Sequence, residues 1–315
     1  MRVSERMLDR LEREQRLDPL AGRTADVWSR MLRSQRLRDV LSGRWLGHPL
    51  HPAAMLVPAG TLLSATMLDA TGDPALRPAA RRLIGIGLLS AVPTAAAGWS
   101  DWLDTQGAER RVGLVHATCN IVGIVSYAAS WRQRRQGGNG IAAGLAGAAA
   151  LGAGGWLGGH LAYALGVGVD TTAFQRGPAE WTDVAAASDV SAALRQFDVQ
   201  GVPVLLTRVN GQIVAIGDRC THRGGPLAEG RRDGDCVVCP WHGSRFDLST
   251  GEVLHGPATR PEPVYEVREI AGRVELRRAE VRALRANPVG ALPQALAGWR
   301  SSRLAASAPS RLPTV

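Results

Sequence analysis

The chain has 315 residues, which is enough for two domains. Its 37 basic residues are all arginine and outnumber the 28 acidic ones, which gives a formal net charge of +9. Four cysteines do not suggest a disulfide framework. The arginines flank apolar segments and no nucleic-acid-binding motif is present. The positive charge therefore indicates the edge of a membrane rather than a nucleic-acid partner.

Residues 1–47 are rich in arginine and carry apolar side chains at helical spacing. Between Val27 and Leu41, apolar residues alternate with arginines such as Arg33 and Arg36. This pattern predicts an amphipathic helix. It either lies on a membrane surface in contact with lipid or packs as an ordinary surface helix on its own domain. The N-terminus lacks an apolar stretch behind a short basic one, so no secretory signal is predicted.

Residues 48–170 contain four apolar segments. Each is close to or longer than the ~20 residues that a helix needs to cross the hydrocarbon layer. The segments run over about Pro52–Ala70, Leu83–Ser100, Val112–Trp131 and Ile141–Gly168. None contains Arg or Glu, and arginine and tryptophan lie at most of their ends. This favours a four-helix transmembrane bundle over a soluble bundle of Ala-rich helices.

The fourth apolar segment is crowded with small residues. It includes Gly154-x-x-x-Gly158 and Gly155-x-x-x-Gly159, spacings that permit close helix packing in lipid. Arginine counts in the loops are nearly balanced, so residues 1–47 decide the orientation. Their arginines predict that the N-terminus lies on the cytoplasmic side of the cell membrane. Because the number of crossings is even, the C-terminal half is then cytoplasmic as well.

The same topology predicts that four histidines gather at the membrane face that carries the C-terminal half. They are His48, His51, His116 and His160. Polar residues inside a membrane mark functional sites by default. His116 and His160 could be axial ligands of a b-type haem, while a His–Asp pair could serve a quinone. Another metal, or a purely structural role in bonding neighbouring helices, remains open.

After a short linker over residues 171–179, the pattern changes to strands. Asn210-Gly211, the strongest short hairpin signal, joins the predicted strands Val202–Val209 and Gln212–Ile216. Further strands are predicted over Cys236–Val238, Ser244–Asp247, Glu252–Leu254, Val264–Ile270 and Arg273–Leu276. Residues 180–280 therefore form an all-β domain. Residues 281–315 contain no acidic residue and predict a mostly disordered tail.

Two loops of this domain each offer one thiolate and one imidazole, in the pattern Cys220-x-His222 and Cys239-x-x-His242. In a Rieske [2Fe–2S] centre two cysteines hold one iron and two histidines hold the other. A Cys2His2 zinc site uses the same four side chains. Zinc fingers usually pair Cys with Cys and His with His on separate elements. The mixed loops, which are flanked by Gly and Pro, thus favour the iron–sulfur centre.

The segments Cys220–Pro226 and Cys239–Asp247 resemble Rieske ferredoxins and the Rieske domains of ring-hydroxylating oxygenases. The resemblance implies that Cys220 and Cys239 hold one iron of a [2Fe–2S] cluster. It implies that His222 and His242 hold the other. Cys236, in contrast, lies in a strand-like run and is expected to be a buried structural thiol.

Ser244, Trp241 and Phe246 are expected to surround the cluster. Cytochrome bc-type Rieske proteins have a disulfide joining the positions of Gly225 and Trp241, and often a tyrosine where Phe246 lies. This chain lacks both features. Ser244 is retained and can donate a hydrogen bond toward the cluster. Hydrogen bonds to the cluster raise its potential, and here the tyrosine hydroxyl is missing while the Ser244 hydroxyl is retained. This implies a reduction potential in the low to middle part of the range of roughly −150 to +300 mV. His255 lies on a further loop and is expected to be exposed rather than next to the cluster.

The membrane half also resembles a known family. Gly43–Pro52, Gly113–His116 and Gly158–Leu161 are similar to a family of small bacterial membrane domains of unknown function. In some members of that family the domain is fused to a Rieske domain. The resemblance implies a membrane-bound redox protein and supplies no reaction.

The predicted fold is multi-domain: an N-terminal all-α four-helix transmembrane bundle followed by a C-terminal all-β Rieske domain. The predicted function is one-electron transfer between a cytoplasmic donor or quinol and a redox partner. An iron–sulfur redox sensor, or an electron-input subunit of a membrane oxidoreductase, is the alternative. A complete oxygenase catalytic domain is not expected, because no histidine follows His255 to supply its mononuclear iron site.

Overall fold

Three helices precede the apolar segments in the computed structural model, which describes residues 3–279. They are α1 (Val3–Arg13), α2 (Asp18–Met31) and α3 (Gln35–Ser42). Helix α3 begins at the Ser34 cap, whose hydroxyl accepts the N–H of Leu37, and ends at Gly43 in the left-handed region. The tail expected over residues 281–315 lies outside the described residues.

The N-terminal helices pack on the bundle through one face only. Ala21 is buried, and the Trp28 ring stacks on that of Trp99 with centroids 5.0 Å apart. On the other face Val27 and Met31 are 54% and 63% exposed. The predicted contact of this segment with a membrane surface stays a prediction. One side contacts its own domain and the other side is left free.

Four apolar helical segments follow, and each is long and apolar enough to cross a membrane. The helices are α4 (Leu50–Ala54), α5 (Leu56–Ala70), α6 (Arg77–Trp102), α7 (Gly107–Arg135) and α8 (Ile141–Tyr163). Helices α4 and α5 together form the first candidate span. This confirms the predicted four-helix bundle. The last helix ends at Tyr163 rather than Gly168, because Gly166 and Gly168 adopt left-handed backbone angles.

Only one of the two glycine motifs in α8 lies at a helix contact. A Cβ atom on Gly158 would lie 3.0 Å from the His116 ring, and one on Gly154 would overlap Asn120, so this face packs tightly on α7. A Cβ on Gly155 would meet nothing within 4 Å. The bundle core also contains the fully buried Tyr127.

The C-terminal domain consists of two antiparallel sheets. Its strands are β1 (Thr182–Ala186), β2 (Arg195–Val199), β3 (Val202–Val209), β4 (Gln212–Gly217), β5 (Arg231–Asp233), β6 (Cys236–Val238), β7 (Arg245–Asp247), β8 (Val253–His255), β9 (Val264–Ile270) and β10 (Arg273–Arg278). The six-stranded sheet has the order β1-β10-β9-β4-β3-β2, and the four-stranded sheet has the order β5-β6-β7-β8. The all-β prediction is confirmed.

The two loops that carry the Cys and His pairs follow β4 and β6. Each starts at the end of a strand whose residues contribute to the same apolar core. Ile216 of β4 and Val237 of β6 are both fully buried. The backbone positions of both loops are therefore fixed by the packing of the domain.

Candidate metal centre

Each of the two loops is closed by its own backbone hydrogen bonds. In the first, the N–H of Gly224 donates to the Cys220 carbonyl over 2.8 Å. In the second, the N–H of Gly243 donates to the Cys239 carbonyl over 3.1 Å. Both glycines have φ angles in the left-handed region, +78° and +75°. This turn places the Cys and His of each loop on its inner side, and a residue with a Cβ would be strained there.

The four candidate ligands lie together at the tip of the domain. Cys220 and Cys239 are free thiols that are 1% and 3% exposed. The rings of His222 and His242 are nearly perpendicular, with centroids 5.1 Å apart. The Nδ1 atom of each ring is buried and has no hydrogen-bond partner within residues 3–279. Two buried lone-pair donors without a partner, beside two free thiols, are what an iron–sulfur cluster requires.

The arrangement does not favour one metal ion held by all four side chains. Across residues 3–279, no group of three or more His, Cys, Asp or Glu side chains could hold a metal ion. A structural zinc site requires four ligands around a single ion. A two-iron cluster requires only two protein ligands at each iron, and the two cysteines and two histidines supply that number.

The electrostatics of the loops favour the ligand forms of His222, His242 and Cys239, whereas the hydrogen bond with Cys239 and burial raise the pKa of the Cys220 thiol. Burial lowers the pKa of His222 to about 3, and the positive charges of His242 and Arg223 act in the same direction. Burial likewise lowers the pKa of His242. A hydrogen bond between the two thiols lowers the pKa of Cys239, and the backbone N–H groups of Trp241 and His242 lower it further. Neutral imidazoles and a readily formed thiolate are the states that bind iron.

The three residues expected around the cluster lie at the second loop. Phe246 is fully buried in the core that also contains both cysteines. The Ser244 hydroxyl accepts the N–H of Ala258 over 2.9 Å, which leaves its own O–H free to donate. Trp241 is 57% exposed, and its ring lies edge-on to that of His242 at 6.4 Å.

Gly225 and Trp241, the positions of the disulfide in bc-type proteins, face one another. A Cβ atom on Gly225 would lie 3.0 Å from the Trp241 ring and 2.9 Å from the Cys239 Sγ. We expect Gly225→Ala to lower the cluster content of the purified protein and to destabilise the domain by ~1–3 kcal/mol, because the new methyl group would press on the buried Cys239 sulfur. The cluster content is measured as iron and sulfide per chain. Gly155→Ala, where a Cβ meets nothing within 4 Å, is the control and should keep its cluster.

The loop between α6 and α7 contacts the candidate ligands, which the sequence did not indicate. Asp104 of this loop lies 3.9 Å from the Nε2 atom of His222. Arg38 of α3 donates to the same carboxylate over 2.7 Å. Burial raises the pKa of Asp104, while Arg38 acts in the opposite direction. Beside them, Arg223 of the first cluster loop pairs with Glu109 of α7.

Further contacts join the C-terminal domain to the preceding helices. Asp39 accepts the N–H of Gly256 over 2.9 Å and lies 3.2 Å from the Nδ1 of His255, whose side chain is 48% exposed. Thr171 donates its hydroxyl to the Cys220 carbonyl over 2.8 Å. The expected linker is therefore bonded to the first cluster loop.

The structure brings some of the membrane histidines together and separates others. The rings of His51 and His116 are in edge contact at 6.3 Å. The Nδ1 of His116 lies 2.7 Å from the Gly154 carbonyl, and its Nε2 lies 3.1 Å from the Asn120 amide. His160 instead pairs with Glu12 of α1 over 2.8 Å.

These contacts give no support to a haem. Both ring nitrogens of His116 have protein partners, and His160 is engaged by an acidic side chain of another helix. His48, the fourth histidine of the group, is exposed near the start of the bundle. The quinone and the other-metal interpretations of these residues stay predictions.

Comparison with known proteins assigns the two halves to separate families. Residues 180–271 match the Rieske [2Fe-2S] domain. Residues 47–171 match a family described as predicted membrane protein (DUF2231). The chain is 40% identical over 96 residues to ferredoxin CarAc of Metapseudomonas resinovorans, which is 30% of this chain and 90% of that protein.

Two further matches cover the same part of the chain. The naphthalene 1,2-dioxygenase ferredoxin component of Pseudomonas putida is 32% identical over 90 residues, 28% of this chain and 86% of that protein. The anthranilate 1,2-dioxygenase ferredoxin subunit of Burkholderia cepacia is 32% identical over 99 residues, 31% of this chain and 92% of that protein.

Through its C-terminal domain, the chain belongs to the Rieske [2Fe-2S] family. It combines that electron-transfer domain and its [2Fe–2S] cluster with a membrane domain of four candidate spans.

Proposed function

We propose that Cys220 and Cys239 hold one iron of the cluster, that His222 and His242 hold the other, and that the cluster carries single electrons for a soluble redox partner. The main support is that the Nδ1 atoms of His222 and His242 are buried and lack a hydrogen-bond partner in the described part of the chain. The bound cluster supplies a one-electron couple at moderate potential. The protein residues fix its ligands and exclude water from its sulfur side.

The side chains around the ligands support fast electron exchange at one edge. Phe246 and the apolar core cover the cysteine side completely. On the histidine side, Trp241 is 57% exposed next to His242. An electron would therefore pass through the His242 edge, where a partner protein approaches the cluster without entering the core.

The relatives support a protein partner. All three named above are ferredoxins, and two of them are components or subunits of dioxygenase systems. By analogy, we propose that a soluble redox protein is the electron donor or acceptor of this chain. The membrane domain would hold the Rieske domain at the bilayer, where the electron transfer then takes place. A quinol in the bundle is the competing donor. The proposed topology places residues 1–47 and the Rieske domain in the cytoplasm, so reporter fusions at the C-terminus should be active only as cytoplasmic reporters.

The first test is a spectrum of the full-length protein purified in detergent. We expect broad absorption over roughly 400–600 nm that bleaches with dithionite, and a rhombic EPR signal in the reduced state only. Two irons and two sulfides should be bound to each chain. A colourless protein that contains zinc would contradict the proposal, and an additional sharp Soret band would restore the haem hypothesis.

The second test separates the two electron donors. The oxidised protein is placed in liposomes with a quinol, or is mixed with a ferredoxin reductase and its nicotinamide cofactor. We expect the visible bands to bleach when the reductase is added and to stay unchanged when the quinol is added. Reduction by the quinol alone would assign the membrane domain to quinol oxidation and overturn the soluble-donor part of the proposal.

A further inference from the structure

Asp104 belongs to the membrane domain but lies at the cluster site. Its side chain is 8% exposed, and the two carboxylate oxygens have different surroundings. Oδ1 accepts a hydrogen bond from Arg38 over 2.7 Å. Oδ2 is buried and, in the part of the chain that the structure describes, has no hydrogen-bond partner. It lies 3.9 Å from the Nε2 of His222. A buried carboxylate oxygen without a donor is costly unless a donor is supplied.

The cluster would supply that donor. A neutral imidazole has one N–H, and the Nδ1 atom of His222 is the nitrogen left open toward the cluster loops. If Nδ1 binds iron, the proton must be on Nε2, which is the nitrogen that faces Asp104. Metal-bound histidines generally donate this second N–H to a carboxylate or carbonyl, and such partners tune the metal. The Nε2–H of His222 would thus be the donor that the Oδ2 atom of Asp104 lacks.

We propose that Asp104 is a positioning residue for the cluster: its carboxylate accepts the Nε2–H of His222, and its negative charge lowers the reduction potential. This rests on the proposed function, because it requires His222 to be an iron ligand. It gives the membrane domain a role beyond anchoring, since a loop of the bundle sets the potential of the electron carrier.

Neighbouring contacts hold the loop and the Rieske domain in this arrangement. Arg223, the residue after His222, pairs with Glu109 at the start of α7. Arg44 donates to the Val253 carbonyl over 3.1 Å, and Asp39 accepts the N–H of Gly256 over 2.9 Å. These contacts come from two separate regions of the chain, the end of α3 with the turn after it and the start of α7. The carboxylate is therefore fixed at the imidazole by the domain interface and not by its own side-chain rotamer alone.

The expected direction follows from charge. The reduced cluster carries one more negative charge than the oxidised cluster, so a nearby carboxylate disfavours reduction. Removing it with Asp104→Asn should favour reduction about tenfold, which is an increase of ~59 mV in the midpoint potential for one electron. Asp104→Glu retains the charge and should remain closer to the wild-type potential. Asp183→Asn removes the same charge from β1, on the six-stranded sheet, and is the control that should leave the potential unchanged.

The experiment is an EPR-monitored redox titration of the full-length proteins in detergent, all at pH 8. A potential in Asp104→Asn equal to that of the wild type, with a normal [2Fe–2S] signal, overturns the inference and leaves the proposed function intact. Absence of the signal in the wild type defeats the proposed function itself.

A second variant covers the case in which Asp104→Asn fails to retain its cluster. Arg38→Gln removes a positive charge from the partly exposed end of the same ion pair. It should lower the potential, because the remaining carboxylate is no longer neutralised. An unchanged potential in Arg38→Gln would show that this ion pair does not act on the cluster and would equally overturn the inference.

Discussion

Cys239→Ser is expected to abolish the visible chromophore, while Cys236→Ser retains it. The two cysteines lie close together in sequence and are similarly buried, at 3% and 6% exposure. Cys239 is in the second cluster loop, beside the unpartnered imidazoles. Cys236 is in β6, where its sulfur contacts Arg245 of the neighbouring strand. Because thiolates hold the cluster, loss of one ligand should reduce iron and sulfide to below about a tenth of wild type.

The control separates ligand loss from general unfolding. Both variants remove one buried sulfur from the same sheet region, so a packing effect alone should affect them similarly. Helical circular dichroism and gel filtration in detergent should show an intact bundle in each. A full complement of iron in Cys239→Ser would remove Cys239 from the ligand set. A colourless Cys236→Ser would indicate that Cys236, and not only the proposed pair, binds the cluster.

The elements that the sequence predicted are those with strong local signals. Asn210 and Gly211 adopt φ angles of +51° and +82°, which is the tight hairpin turn that this dipeptide favours. The strands on either side, β3 and β4, were predicted almost to the residue. In the cluster loops, Gly224 and Gly243 likewise adopt left-handed φ angles of +78° and +75° beside the Cys and His pairs.

The three strands that were not predicted are all at sheet edges. Strands β1 and β2 are the two edges of the six-stranded sheet, and β5 is an edge of the four-stranded sheet. Strand β5, Arg231–Asp233, consists of three charged residues. Strand β1 is interrupted by a register shift between Asp183 and Ala185. Edge strands are kept short, charged or irregular to prevent further pairing, so they lack the apolar alternation that identifies a strand in sequence.

The contacts between domains could not be predicted for a different reason. Neither Asp104 nor Glu109 stands out in the sequence as a residue of the cluster site. Their partners His222 and Arg223 lie in the other domain. The pairing of two such surfaces depends on how the domains dock, and no local pattern encodes it. Similarly, the membrane histidines were expected to gather at one face of the bundle, and the pairing of His160 with Glu12 of the N-terminal segment could not be predicted from local sequence.

The second large effect is expected for His242→Cys, which should keep an iron–sulfur centre but lower its potential. A thiolate would replace a neutral imidazole and add negative charge to the iron that we propose His242 holds, so the oxidised state would be stabilised. Four-cysteine ferredoxins have potentials of about −400 mV, against roughly −150 to +300 mV for two-histidine centres. A single replacement should therefore lower the midpoint by on the order of 100 mV or more, measured by EPR-monitored titration.

His255→Asn is the matched control for this substitution. Its imidazole pairs with Asp39 of helix α3 and is 48% exposed, so the change should leave the midpoint as in the wild type. An unchanged potential in His242→Cys, with the normal rhombic signal, would mean that His242 does not hold the second iron. The comparison also probes the Asp104 inference, because His242→Cys and Asp104→Asn are expected to move the potential in opposite directions. Combining them should bring it back toward the wild-type value if the two changes act independently.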